Sequence, residues 1–221
     1  MTFKNTIIYE NDEVIKKVFK NELDFFVESS FYEEYGGFSF IPSLIKAENN
    51  SICIENIIGE SLYNLSVEEQ LKVAVTLAEF HNLTYNRETG LALMHFDTNL
   101  SNYIYRAGVV YMIDFSDVTL DSPLVDLYSI LLHFCELHPP DVFKEFINSF
   151  YRVYFGVFRY SLEHDESVLL KEIERFEGRR AEYGKIIYNY EDYLVNRGVL
   201  ISFFFNTGEK PEKSQRAQRY E

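Results

Sequence analysis

The residues best suited to chemistry lie in one short segment and just after the hairpin that follows it. The segment contains His95, Asp97 and Asn102, and a further carboxylate, Asp114, comes after two short β runs within residues 103–113. A hairpin returns its second strand to where its first began, so we expect Asp114 to lie close to Asn102 and to the loop that carries Asp97. This set of two carboxylates and an amide suits phosphoryl transfer, in which one aspartate positions a hydroxyl while the amide and the second aspartate hold Mg²⁺.

The same residues resemble those of a known superfamily. The spacing His95-x-Asp97-x-x-x-x-Asn102, followed by Ile-Asp-Phe at residues 113–115, resembles the catalytic loop and metal-binding strand of protein-kinase-like enzymes. The continuation over residues 116–127 resembles more specifically the aminoglycoside phosphotransferases and related small-molecule kinases. The resemblance therefore points to a kinase that acts on a hydroxyl group.

The N-terminal part of the chain resembles a different branch of the superfamily. Residues 7–17 and 48–55 resemble the small atypical kinase of the KEOPS tRNA-modification complex, which is of similar size. Altogether the resemblance covers roughly residues 5–155. It implies an α+β, bilobal protein-kinase-like fold with a small β-rich N-lobe, a mainly helical C-lobe, and ATP and Mg²⁺ as cofactors between them.

The resemblance also implies a role for each polar residue of the segment. Asp97 would be the catalytic base or the group that positions the hydroxyl, and Asn102 and Asp114 would be the magnesium ligands. Asp126 would instead be structural, bracing the backbone of the catalytic loop from the start of a buried helix.

A strand near the N-terminus supplies a cation for the nucleotide. Lys16 matches the strand lysine that contacts the α and β phosphates, and a fixed cation offsets phosphate charge that an acidic protein would otherwise repel. Lys17 is the alternative and would face the other side of the strand. We favour Lys16, because Val14 then lies on the same face as an apolar ceiling over adenine. Glu28, on the following predicted helix, is the best candidate to pair with this lysine.

The connection between the two predicted lobes falls near residue 58. Glu55 and Ile57 lie where the superfamily offers backbone groups to the edge of adenine, which implies that they bind the nucleotide. Gly59 then frees the chain to enter the helical part.

The sequence departs from the superfamily pattern in three places. No glycine occurs before Gly36, so the glycine-rich loop that covers the phosphates in ordinary protein kinases is absent. Phe96 and Ser116 each occupy a position where relatives carry glycine. None of these changes removes a ligand, and we therefore expect an active enzyme.

The apolar pattern places these residues on predicted elements. Alternating apolar and polar residues predict strands at residues 7–9, 14–19, 51–58, 103–105 and 109–113, and a helix at residues 23–35 that Gly36 ends. Ser66 followed by Glu69 has the spacing of a capping box and predicts one long helix that runs to about Asn82.

Helical periodicity dominates the second half of the chain. It predicts a buried helix at residues 124–137, an amphipathic helix at residues 141–154, and a helical region at residues 166–196 that is interrupted at Gly178. We therefore predict an N-lobe at residues 1–58, a C-lobe at residues 59–205 and a solvated polar tail at residues 206–221.

Composition narrows the range of partners and locations. The 221 residues carry a net charge of −14, which disfavours direct nucleic-acid binding. We expect a cytoplasmic protein without a membrane partner, since no apolar run is long enough to span a bilayer. Cys53 and Cys135 each lie in an apolar run, which predicts buried free thiols.

The expected partners are a nucleotide and a small-molecule or protein hydroxyl acceptor, and a protein partner is possible.

Two other functions compete with the kinase hypothesis. His95 and Asp97 with a later histidine such as His138 could bind non-haem iron, but the helices predicted after Pro123 do not suit the strand barrel of such oxygenases. The chain could also be a KEOPS-kinase-like ATPase, or a nucleotide-binding pseudokinase that acts as an interaction subunit. Loss of ATP turnover in Asp97→Ala or Asp114→Ala would support the enzyme over the pseudokinase.

Overall fold

The computed structural model describes residues 5–182, 187 and 189–205, and these fall into two compact units. One unit comprises the residues up to Thr76 together with His95–Thr119, and the other comprises Leu77–Met94 and the residues from Leu120 onward. The predicted polar tail at residues 206–221 lies outside the described residues. The lobe boundary expected between residues 58 and 59 remains a prediction, and each unit draws on two separate stretches of chain.

The described residues form nine strands and seven α-helices. The strands are β1 (Asn5–Tyr9), β2 (Val14–Phe19), β3 (Leu44–Glu48), β4 (Ser51–Glu55), β5 (Glu60–Ser61), β6 (Ala92–Met94), β7 (Tyr103–Arg106), β8 (Val109–Met112) and β9 (Thr119–Asp121). The helices are α1 (Glu22–Tyr35), α2 (Val67–Gln70), α3 (Lys72–Thr84), α4 (Leu124–Leu137), α5 (Pro140–Val157), α6 (Glu166–Glu182) and α7 (Tyr190–Phe205). Both predicted hairpins are confirmed.

The first unit is built on an antiparallel sheet in the order β1-β2-β4-β3. Helix α1 starts at Asn21, whose side chain accepts a hydrogen bond from the N–H of Leu23 at 2.9 Å. Glu28, Phe31 and Tyr32 share the buried face of α1, as the spacing i, i+3, i+4 requires. The ring of Phe31 stacks on Phe115 at 3.9 Å between centroids, and this contact fixes the helix beside the residue that follows Asp114.

The second sheet of this unit, in the order β5-β7-β8, presents the polar segment. The turn between β7 and β8 consists of Ala107 and Gly108, with φ angles of 50° and 93°. Two central residues with positive φ match the twist of the hairpin strands, so the turn keeps β7 and β8 paired in register. Tyr103 lies opposite Met112 in that register, which leaves Asn102 and Asp114 at the open end of the hairpin.

The predicted capping box is present, but the helix that it begins is not continuous. The side chain of Ser66 accepts from the N–H of Glu69, and the Glu69 side chain accepts from the N–H of Ser66. Helix α2 ends at Gln70 and α3 starts at Lys72, and next to Leu71 between them the N–H of Ala74 donates to the Leu71 carbonyl only three residues back. The division between the two units falls within α3.

The second unit is mainly helical, and α4 is its most deeply buried helix. The amide Nδ2 of Asn196 on α7 donates to the carbonyls of Cys135 and His138, at 2.9 and 2.7 Å, and so caps the C-terminal end of α4. The predicted interruption at Gly178 is wrong, because α6 continues through it to Glu182. A single glycine costs a helix only about 1 kcal/mol, which the packing of α6 against α4 and α7 offsets.

Two further expectations can be compared with the structure. Cys53 and Cys135 are free thiols as predicted, although Cys53 is only half-buried. None of the helices in the described part of the chain combines the length and the apolar character needed to cross a membrane.

Candidate active site

The loop that carries Asp97 is held in a tight bend. The N–H of Asp97 donates to the carbonyl of His95 at 2.8 Å, and Phe96 between them has a φ of 66°, in the left-handed region. The ring of His95 is fully buried, and its Nε2 lies 2.8 Å from the carbonyl oxygen of Ile113. Because a carbonyl can only accept, Nε2 carries the proton and ties the loop to the residue before Asp114.

Asn102 joins the loop to the end of the hairpin. Its Nδ2 donates to the backbone carbonyl of Asp97 at 2.9 Å and to Asp97 Oδ2 at 3.1 Å. Its own backbone carbonyl accepts from the N–H of Ile113 at 3.0 Å. The prediction that the hairpin returns Asp114 to the neighbourhood of Asn102 and the Asp97 loop is therefore confirmed.

Asp114 connects the hairpin to strand β2. Its Oδ1 accepts from Lys17 Nζ at 2.5 Å and from the hydroxyl of Ser116 at 3.1 Å. Its φ of 65° is again left-handed, a conformation that aspartate adopts more readily than most residues. The side chain is 43% exposed, so a ligand can reach the carboxylate.

Glu28 pairs with Lys17, and the expected pairing with Lys16 is wrong. Lys17 Nζ lies 2.6 Å from Glu28 Oε2, and Lys17 and Glu28 are 6% and 1% exposed. Neighbouring residues of a strand point to opposite faces, so Lys16 is directed away from this pair. The structure thus places Lys17, the alternative lysine, on the face of β2 that Glu28 contacts.

The strand period explains the correction. Phe19 is a buried core residue of β2, and counting back by two from Phe19 places Lys17 on the same face. Val14, which guided the choice of Lys16, lies at the end of the strand opposite Glu55 and is only half-buried. The bulky aromatic residue was the better indicator of the inward face.

Charge coupling favours the charged forms of Lys17 and Asp114, whereas burial favours the neutral form of Glu28. Burial opposes the charge on Lys17, but Glu28 and Asp114 outweigh it and raise the pKa of Lys17 above its ordinary 10.5. Burial likewise disfavours the charge on Asp114, yet Lys17, with smaller contributions from His95 and Ser116, lowers the pKa of Asp114 below 3.8. Burial raises the pKa of Glu28 to about 7, against the opposing effect of Lys17.

The oxygens at the end of the hairpin suit a hard cation. Both contacts of the Asn102 amide use Nδ2, and its Oδ1 has no partner among the described residues. Amide and carboxylate oxygens are the ligands that Mg²⁺ prefers, and Mg²⁺ commonly takes only one or two protein ligands together with substrate phosphates. The described residues contain no group of three or more His, Cys, Asp or Glu side chains able to hold a metal ion.

The linker after β4 offers backbone groups at Ile57 that no described residue binds. The N–H of Glu55 donates to the carbonyl of Ser43 at 2.9 Å, and its carboxylate accepts from Arg106 at 3.0 Å. Ile57 has a buried side chain, and its N–H and C=O have no hydrogen-bond partner within the described ranges. Ile57 is thus better placed than Glu55 to offer its backbone to a ligand.

Asp126, expected to be structural, lies in the other unit. It is fully buried in the first turn of α4, and its Oδ2 lies 3.4 Å from His81 Nε2. The other ring nitrogen of His81 lies 2.6 Å from the hydroxyl of Tyr154. The role of Asp126 in bracing the catalytic loop remains a prediction.

Comparison with known proteins agrees with this geometry. Residues 58–157 match the model of the phosphotransferase enzyme family (APH), and this range contains Asp97, Asn102 and Asp114. The match covers 100 of the 221 residues, slightly less than half of the chain, and over that range the chain is similar to phosphotransferases of the protein-kinase-like superfamily. A comparison with curated proteins gives no match.

Solved structures share the phosphotransferase fold over most of their length. The ternary complex of APH(2'')-IIa with streptomycin and ATP is 17% identical, with 90% of each chain covered and a TM-score of 0.53. A choline/ethanolamine kinase family protein from Mesorhizobium loti is 12% identical, with 94% of this chain and 87% of that one covered and a TM-score of 0.58. The macrolide 2'-phosphotransferase MphH from Brachybacterium faecium is 8% identical, with 95% and 91% covered and a TM-score of 0.55. At these identities the likeness establishes the fold.

Three residues of the candidate site make contacts that sequence reasoning missed. His95 ties the loop to the hairpin, Ser116 holds Asp114 Oδ1, and Arg106 binds Glu55. For Ser116 a signal was present, since a hydroxyl two residues after an aspartate can reach back to it. The Arg106 contact spans 51 residues and has no local sequence signal.

Proposed function

We propose that this chain is an ATP- and Mg²⁺-dependent kinase that transfers the γ-phosphoryl group of ATP to a hydroxyl group. The observation that carries the proposal is the bridge that Lys17 forms between Glu28 and Asp114, at 2.6 and 2.5 Å. In kinases, an ion pair between a strand lysine and a helix glutamate, beside an aspartate that holds metal, positions the nucleotide for transfer. The bridge thus supports the proposal that this site binds the phosphates of a nucleotide.

Lys17 supplies the fixed positive charge of this site. Its raised pKa keeps the ammonium protonated at neutral pH, and Glu28 and Asp114 hold it in one orientation. A preorganised cation stabilises phosphate charge without having to reorganise during the reaction. Lys17 therefore takes the role that the sequence assigned to Lys16.

Asn102 and Asp114 are the proposed magnesium ligands. The Oδ1 of Asn102 and the exposed carboxylate of Asp114 lie at the same end of the hairpin, and both are hard oxygen donors. When bound, Mg²⁺ would neutralise charge on the transferring phosphate. Ser116 orients the Asp114 carboxylate through its hydrogen bond to Oδ1.

Asp97 is the proposed catalytic residue. Asn102 donates to both its backbone and its side chain, so the Asp97 carboxylate is fixed in orientation. A carboxylate held in this way can align the acceptor hydroxyl and take its proton as the new bond to phosphorus forms. The proton moves from the acceptor oxygen to Asp97, and ADP leaves with the electron pair of the broken bond.

The linker after β4 is the proposed contact for the nucleotide base. Ile57 would offer its free backbone groups to the edge of the base, and Glu55 would shape the start of the linker. The acceptor is best sought among small-molecule alcohols, because the structural neighbours named above are a complex with streptomycin, a choline/ethanolamine kinase family protein and a macrolide 2'-phosphotransferase. A protein acceptor is the other possibility within the same mechanism.

The adjacent lysines provide a matched test of this proposal. We expect Lys17→Ala to lower phosphoryl transfer by about 100-fold or more, because it removes the cation from the phosphates. Lys16→Ala, one residue away on the opposite face of β2, should change the rate less than about threefold. The measurement is transfer from radiolabelled ATP in Mg²⁺ to a panel of aminoglycoside, macrolide, amino-alcohol and protein hydroxyl acceptors, with phosphate release followed in parallel.

Further variants separate the possible outcomes. Asp97→Asn preserves shape, and we expect it to lower transfer by about 100- to 10,000-fold while nucleotide binding persists. Phosphate release with no acceptor labelled would indicate an ATPase, and nucleotide binding without either product would indicate a pseudokinase. Equal losses in Lys16→Ala and Lys17→Ala would contradict the assignment of the phosphate-binding lysine.

A further inference from the structure

An ion pair joins the end of β4 to the hairpin that carries the site. Arg106 Nη2 donates to Glu55 Oε1 at 3.0 Å and to the hydroxyl of Tyr111 at 2.9 Å. The guanidinium also lies 4.6 Å from the centre of the Tyr111 ring. Two hydrogen bonds and a stacking contact hold the planar group in one orientation. We call Arg106, Glu55 and Tyr111 the Arg106 clamp.

The second oxygen of Glu55 is engaged on the opposite side. Glu55 Oε2 lies 3.5 Å from both the N–H and the hydroxyl of Ser43, at the outer limit of hydrogen bonding. The backbone N–H of Glu55 donates to the carbonyl of Ser43 at 2.9 Å. Glu55 therefore connects the loop before β3 with strand β7.

The far end of the same linker is also attached to β7. Glu60 pairs with Tyr105, and a Cβ added to Gly59 would lie 2.3 Å from the Tyr105 carbonyl oxygen. Tyr105 and Arg106 are consecutive residues, so neighbouring positions of β7 hold both ends of the linker at residues 55–59. Both ends of this short linker are therefore attached to β7.

We propose that Arg106 is a positioning residue for nucleotide binding, which it serves by holding the linker at a set place relative to the hairpin. The inference rests on the proposed function, in which the linker contacts the base while Asn102 and Asp114, at the end of the same hairpin, serve the phosphates. Base and phosphates belong to one ligand, so the two contact points must keep a fixed separation for both to be made.

The exposure of the clamp indicates what its loss would do. The Arg106 and Glu55 side chains are each 35% exposed, and ion pairs of this kind contribute little to overall stability. Removal of Arg106 should therefore leave the protein folded but let the linker move. Nucleotide affinity should fall while the chemical step, which depends on Asp97, continues.

The test compares Arg106→Ala with variants that keep part of the clamp. We expect Arg106→Ala to raise the KM for ATP about tenfold with kcat within about twofold, and to weaken Mg·ADP binding in calorimetry by a similar factor. Tyr111→Phe, which keeps the stacking contact and loses one hydrogen bond, should give a smaller change. Arg152→Ala on α5 is the control, because Arg152 is exposed and, among the described residues, donates to the backbone of its own helix at Asn148.

Hydrogen exchange provides a readout that does not depend on activity. The backbone amides of Glu55 and Asn56 donate to the carbonyls of Ser43 and Glu13, and they should exchange faster in Arg106→Ala than in the wild type. A charge-reversed pair, Glu55→Arg with Arg106→Glu, should recover part of both exchange protection and ADP affinity. If Arg106→Ala is folded and its KM for ATP and ADP affinity are unchanged, the positioning role of Arg106 is wrong and the proposed function is unaffected. A wild-type chain that binds no nucleotide would overturn the proposed function, and the positioning role with it.

Discussion

Phe96 has an unfavourable backbone conformation that the geometry of the site requires. A bulky side chain at a φ of 66° is unusual, since an L-residue in the left-handed region costs roughly 1 to 2 kcal/mol. The bend at Phe96 lets the N–H of Asp97 reach the His95 carbonyl and so directs Asp97 toward Asn102. The strain is therefore part of how Asp97 is placed.

This strain predicts an unusual order of stability for two small substitutions. Phe96→Gly and Phe96→Ala both remove the ring, but only alanine keeps a Cβ in the left-handed conformation. We expect the glycine variant to be more stable than the alanine variant by about 1 kcal/mol in urea unfolding. At exposed Lys171 on α6 the same pair should show the reverse order, because glycine destabilises a helix interior. An alanine variant at position 96 that equals or exceeds the glycine variant would show that the backbone there is not strained.

The residues of the site were predictable to different degrees. Asn102 and Asp114 followed from the logic of a hairpin, which depends only on local pairing and turn geometry. The inward orientation of Lys17 was predictable from the two-residue period of the strand, if the count had started from buried Phe19 instead of Val14. The contact between Arg106 and Glu55 could not be predicted from the sequence, because it depends on how separate strands meet in three dimensions.

Gly59 shows at the scale of elements why one small residue can be required. Its φ is not in the left-handed region, so the backbone freedom expected from the sequence is not the reason for glycine here. The reason is close approach, since a Cβ would lie 2.3 Å from the Tyr105 carbonyl oxygen and 2.8 Å from the Ile104 side chain. Strand β5 can pair with β7 only while this position lacks a side chain.

A pair of glycine substitutions tests this account. Gly59→Ala should destabilise the protein by about 2 kcal/mol or more, because backbone atoms must move to admit the methyl group. Gly198→Ala, at an exposed position within α7 with nothing within 4 Å of the added carbon, should stabilise it by up to about 1 kcal/mol. Thermal and urea unfolding of both variants give the comparison. Similar small effects at the two positions would mean that β5 tolerates displacement.

The sequence predicted well those helices and strands that are long enough to show the regular repeat of apolar residues. Helix α4 has the predicted bounds, and both hairpins appear where alternation indicated them. Strands β5, β6 and β9 are two or three residues long, too short to show a period. The break at Leu71 and the continuity through Gly178 both run against the local signals, a capping box that predicted one helix and a glycine that predicted an interruption.

At the scale of the whole chain, the organisation into units and the burial of individual charged residues were the least accessible from sequence. Each compact unit combines two stretches separated along the chain, and no local pattern shows which stretches associate. The net charge of −14 arises from 35 acidic and 21 basic residues spread along the sequence. Individual carboxylates nevertheless differ, and Glu172 is one that is buried at 6% exposure beside Arg175.

Glu172 gives the protein a component of stability that declines with rising pH. Burial raises the pKa of this carboxyl to about 7 from an ordinary 4.5, with Arg175 opposing the shift and Asp126 adding to it. The folded state therefore binds a proton more tightly than the unfolded chain does. Its contribution is fully present below about pH 4.5 and is lost as the pH rises through about 7.

Comparison with Glu172→Gln isolates this contribution, because every other carboxyl group is common to both proteins and cancels in the difference. Glutamine imitates the protonated acid, so the free energy of unfolding of the wild type should fall relative to the variant by about 1 to 3 kcal/mol between pH 5 and pH 8. Urea unfolding at four pH values across that range gives the measurement, and Glu174→Gln on the exposed face of α6 should show no such trend. Parallel profiles for wild type and Glu172→Gln would mean that the ion pair with Arg175 keeps Glu172 charged throughout, and that its burial is compensated within the fold.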